Sequence, residues 1–131
     1  MFTIDQIKAA HATVKSGADF PAYVQMLKKI GLTHYDMLVK NGQGIYFGAN
    51  SFKVEGTAVY PEKIIADTAS GAALKHIISI HQQGHTDYLT FCQQAADAGV
   101  EKWTTYVTGA KVVYYDKRGN ELLTEPIPDT Y

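Results

Sequence analysis

The sequence predicts an α+β domain in which helices cover one face of a mainly antiparallel sheet. Three observations carry that expectation. The chain has 131 residues, 46% apolar and 19% charged, the size and balance of one globular domain. Segments of helical period and segments of alternating period follow one another as ααβββ, twice. The alternating runs are joined by tight turn signals, which favours antiparallel pairing with the helices packed in a second layer.

The elements follow in order. Thr3 opens a capping box, in which Gln6 can reach back to the cap. Ile4, Ile7, His11 and Val14 recur at helical spacing, and Gly17 stops the run. Asp19 caps a second helix with Pro21 in its first turn, where the missing N–H costs nothing. Phe20, Tyr23, Val24, Leu27 and Ile30 form its apolar stripe, and Gly31 is its C′ residue. In the strand "THYDMLV", Tyr35, Met37 and Val39 share a face. The turn "NGQG" at Asn41–Gly44 leads to "IYF", and "FKVE" alternates from Phe52 to Glu55. Tyr60-Pro61 opens a linker. Ser70 caps a helix bearing Leu74, Ile77, Ile78 and His81, ended by Gly84. Thr86 or Asp87 caps the next, whose face is Tyr88, Phe91, Cys92 and Ala95 and whose stop is Gly99. "EKWTTYV" and "KVVYYD" read as strands, "DKRGN" as a hairpin turn and "ELL" as the last strand.

A shift of 68 positions brings the halves into correspondence. Asp19 falls on Asp87, Gly31 on Gly99, Tyr23 on Phe91, Tyr35 on Trp103, Tyr46 on Tyr114 and Val54 on Leu122. Two units of the same plan share some of this by physics alone, so duplication of 1–56 and 70–125 within one domain, 1–131, stands beside plain recurrence.

Composition narrows function. The net charge of -1 and scattered Lys and Arg argue against a general nucleic-acid binder, because phosphate recognition needs clustered cations. The single cysteine permits neither an intramolecular disulfide nor a cysteine zinc cage. The N-terminus lacks the pattern of a signal peptide, and no apolar run approaches the ~18 residues of a membrane span. A cytoplasmic protein with no membrane association is expected.

The stretch "HQQGHTDYLTFC" (His81 to Cys92) invites a metal or nucleophile reading. His81 and His85 have the i, i+4 spacing that zinc sites use on helices. Gly84 between them instead makes a helix stop, a loop and a new cap, so no metal site is expected. Cys92 lies on an apolar stripe, away from the electropositive setting a nucleophilic thiol needs. No cofactor is implied.

Aromatic residues are the remaining signal. The nine tyrosines and single tryptophan concentrate on strands. Such side chains suit cores, cross-strand pairs and binding surfaces alike. Tyr35, Tyr46, Trp103 and Tyr114, with the carboxylate of Glu101, are the candidate ligand-binding residues; no catalytic set is assigned.

"HQQGHTDYLTFCQQAADAGVEKW", "YYDKRGNELL" and "PIP" resemble the YdfO-like family of small bacterial proteins, often carried in cryptic prophages and sometimes labelled phage envelope proteins. The resemblance implies an α+β two-layer fold and no particular function. Two functional expectations follow from the residues. One is a non-enzymatic binding or regulatory protein, using an aromatic sheet surface or the seam between halves. The alternative is a small-molecule sensor or enzyme with a cleft at that seam, using Tyr35, Trp103 and Glu101. The partner is a protein or small molecule, and a homodimer is admitted.

Overall fold

The computed structural model describes residues 2–15 and 17–128. Met1, Ser16 and 129–131, at the ends and in the first half of the 1–131 span, lie outside that description. Four helices and six strands run in the order α1 (Ile4–His11), α2 (Phe20–Ile30), β1 (Leu32–Leu38), β2 (Gly44–Gly48), β3 (Lys53–Glu55), α3 (Gly71–Gln82), α4 (Tyr88–Asp97), β4 (Lys102–Tyr106), β5 (Lys111–Tyr115) and β6 (Glu121–Pro126). All strand pairs are antiparallel, in one six-stranded sheet of order β3-β2-β1-β4-β5-β6. The helices pack on one face, giving the two-layer α+β architecture.

Local chemistry sets the helix ends. Thr3 and Gln6 form the reciprocal capping box. Ser70 and Asp87 each accept the N–H three residues on. Gly31, Gly84 and Gly99 take positive φ where helices must turn away. Two details differ from expectation. Helix α1 ends at His11 rather than near Gly17, because Thr13 turns its hydroxyl back onto the Ala10 carbonyl and the chain leaves the helical path. Asp19 heads α2 without capping it; its carboxylate accepts from the Lys15 N–H and ties down the approach to the short 3-10 turn Gly17–Asp19.

The strand registers obey the 68-residue shift. Tyr35 pairs with Tyr46 and Trp103 with Tyr114; Met37 pairs with Gly44 and Thr105 with Val112. Asp36 and Thr104, also 68 apart, pair with each other across the central β1–β4 contact, and the threonine hydroxyl donates to the carboxylate at 2.6 Å. At the far edge the correspondence slips by one. Val54 pairs with Tyr46, but a bulge at Tyr114/Tyr115 sets Tyr114 against Leu123 rather than Leu122.

Two buried clusters fill the space between sheet and helices. One centres on Leu27, Tyr35 and Val107, the other on Leu74, Cys92, Val100 and Trp103, and Phe20, Met37 and Ile127 touch both. Cys92 is fully buried. Burial pushes its thiol pKa up, against the opposing pull of the Tyr60 and Tyr88 hydroxyls and of Lys63. Thiol reagents should therefore label Cys92 slowly in the native protein and rapidly in denaturant; fast native labelling would show that α4 is packed differently.

Candidate functional site

A cavity of about 500 Å³ lies between the layers, where the two halves meet. Register explains its floor. On the helix-facing side, one cross-strand row runs Tyr46–Tyr35–Thr105–Val112–Glu125, and the next runs Gly44–Met37–Trp103–Tyr114. All of these except Thr105 line the cavity. Gly44 is small by necessity. A Cβ there would collide with the Tyr46 ring, so the missing side chain leaves room for the phenol.

Helical side chains complete the walls as two aromatic chains. In the first half Tyr23 meets Tyr35 at 6.5 Å, and Tyr35 meets Tyr46 at 5.5 Å between ring centroids. In the second, Phe91 meets Trp103 at 5.5 Å and Trp103 meets Tyr114 at 6.0 Å. Tyr88 stands edge-on to Trp103 at 6.5 Å. His11, at the end of α1, bridges the halves, set edge-on to both Tyr23 and Tyr88.

The polar groups are few and specific. His81 stacks on Phe91 at 4.5 Å, and its Nδ1 lies 3.1 Å from the Thr86 carbonyl oxygen. The Thr86 hydroxyl lies 3.2 Å from the same nitrogen, so Nδ1 either donates to the carbonyl or accepts from the hydroxyl. Burial holds the imidazoles of both His11 and His81 below the ordinary value, for His81 against the opposing influence of Thr86 and Asp87, and favours their neutral forms. Burial also raises Tyr23, and the nearby Tyr35 and Tyr46 hydroxyls raise it further. Tyr46 and Tyr88 are raised mainly by burial. These phenols stay protonated at any ordinary pH.

The structure thus brings Tyr35, Tyr46, Trp103 and Tyr114 into one cavity and leaves Glu101 out of it. The backbone of Glu101 bridges Val39 and Tyr115, and the residue takes no place in the lining. Sequence reasoning missed Tyr23, Tyr88 and His11, whose helical spacing marked them only as apolar-stripe positions, and it weighed His81 only as a zinc ligand. The 68-residue shift, which pairs Tyr23 with Phe91, was the signal that could have joined them to the strand aromatics. Among the described residues no group of three or more His, Cys, Asp or Glu side chains is placed to hold a metal ion.

The other sheet face carries rings as well. His34 is stacked between Phe47 at 4.4 Å and Tyr106 at 5.8 Å, while Lys111 lies over Tyr106 and Lys102 over Tyr115. Side-by-side stacking turns ring faces toward one another, so this surface offers edges and lysine stems rather than open faces.

Fold and cavity together define a class: a two-layer α+β protein with an aromatic cavity, open to solvent on one side, between its sheet and its helices. A family model described as "Protein of unknown function (DUF1398)" matches residues 8–126, and the chain belongs to that family. The comparison with curated proteins finds no match. No helix among the described residues is long and apolar enough to cross a membrane.

Proposed function

We propose that this protein binds a small molecule in the chamber between its two halves, without chemical conversion, as a sensor or carrier would. The observation that supports this most strongly is the cavity itself: about 500 Å³, within the usual range of ligand sites, and walled by rings from both halves. Around it converge protonated phenols and the imidazoles of His11 and His81, groups that orient a ligand by hydrogen bonds. In this reading the halves are copies of one helix–helix–meander unit, and the chamber exists because both copies contribute a wall. The ancestry is that of the YdfO-like prophage proteins, and the setting is the cytoplasm.

Trp103, the only tryptophan, lines the chamber and reports on its occupancy. Titration with the neutral fluorophore N-phenyl-1-naphthylamine is expected to give saturable probe emission and a parallel fall in Trp103 emission. An absence of saturable binding would remove the proposal. Retained binding in a variant with the chamber filled, Val112→Trp, would move the site elsewhere.

A further inference from the structure

Resting on the chamber reading above, we infer that the ligand is an uncharged, flat aromatic molecule, held by ring contacts and not by an ion pair. Charge is what the chamber withholds. Lys8, Lys15 and Glu125 are the lining side chains that are ionised at neutral pH, and none of them is buried. Both lysines are exposed, and Glu125 is half-buried on β6. Exposed charges are well screened and attract little. The rim also carries both signs, so an anion drawn to the lysines is opposed by Glu125, and a cation drawn to Glu125 is opposed by the lysines. Burial favours the neutral imidazoles of His11 and His81, which line the same space. An ion entering the interior would shed its water and meet no buried counter-charge in the lining. An uncharged molecule escapes that cost.

The rings specify shape. Neighbouring rings in the lining stand at steep angles, 83° between Tyr88 and Trp103, 63° between Phe91 and Trp103, and 69° between Tyr23 and Tyr35. Both halves therefore set the face of one ring beside the edge of the next. A planar ring system can stack on one and meet the other edge-on, and both contacts gain beyond the area they bury. A puckered molecule of the same skeleton gains the area alone.

The test is competition against bound N-phenyl-1-naphthylamine by four ligands of one skeleton: naphthalene-2-carboxamide, naphthalene-2-carboxylate, 2-naphthylmethylammonium and decahydronaphthalene-2-carboxamide. The flat amide is expected to displace the probe at least ~10-fold more effectively than either ion. It should also exceed its saturated counterpart by at least ~3-fold. Lys8→Ala/Lys15→Ala, at two exposed positions, should change competition by the carboxylate less than ~3-fold. Equal or better competition by either ion would overturn the inference, as would equal competition by the saturated amide. A larger loss of carboxylate binding in the double variant would place a counter-charge at the rim and overturn it too. In each of these cases probe binding still upholds the chamber. Failure of the probe itself to bind would overturn both.

Discussion

Trp103→Ala is expected to destabilise the protein by about 3–5 kcal/mol, the cost of emptying a large buried aromatic site. The ring is 6% exposed and touches Tyr88, Phe91 and Tyr114, which come from α4 and from the neighbouring strand. It is at once part of the second core cluster and part of the chamber wall. Removing it opens the chamber further, and because the sheet beneath is held by strand pairing on both sides, collapse can recover little. For a domain of this size the melting temperature should fall by roughly 10–20 °C. A drop of only a few degrees, with loss of probe binding, would show that the ring serves the ligand and not the fold. Trp103→Phe keeps much of the packing and should cost far less while still changing ligand affinity, which separates the two roles in one comparison.

Gly99→Ala should cost about 2–4 kcal/mol, and Gly31→Ala only about 1–2, although the two glycines stand 68 residues apart in equivalent helix ends. Both have positive φ, +104° at Gly31 and +87° at Gly99, so both pay for a side chain in the left-handed region. Only Gly99 pays twice. A Cβ there would lie 2.6 Å from the Ala69 Cα and 2.9 Å from its Cβ, backbone and stub that cannot swing aside. At Gly31 the nearest group is the Phe2 ring at 4.0 Å, ordinary contact. The difference arises because the 56–70 linker crosses the end of α4, pinned by the Ser70 N–H on the Ala98 carbonyl. Chemical denaturation of both variants measures the difference directly; equal losses would mean that the linker yields.

Much of this architecture is set by local rules. Thr3, Ser70, Asp87, Gly31 and Gly99 mark helix ends because each satisfies, or turns away from, backbone groups within a few residues. Alternation on the strands, with Tyr35, Met37, Trp103 and Tyr114 facing one way, fixes the buried face of the sheet once any pairing is assumed. That is why the layer count and the antiparallel sheet could be read from the chain alone, as could the likeness between Tyr35 and Trp103.

Strand order is a different matter. That β1 and β4 form the centre, with Asp36 bonded to Thr104, depends on contacts 68 residues apart, which no local pattern encodes. The chamber is decided at the same level. His11 reads as one position of an apolar stripe until α1 is laid beside Tyr88 of the other half. Glu101 reads as a companion of Tyr35 and Trp103, but the cavity that those two line does not include it. The sequence determines which side chains seek burial, because that preference belongs to each residue and its neighbours. Which of them face one another across an unfilled space is a property of how two layers meet, and only the tertiary structure decides it.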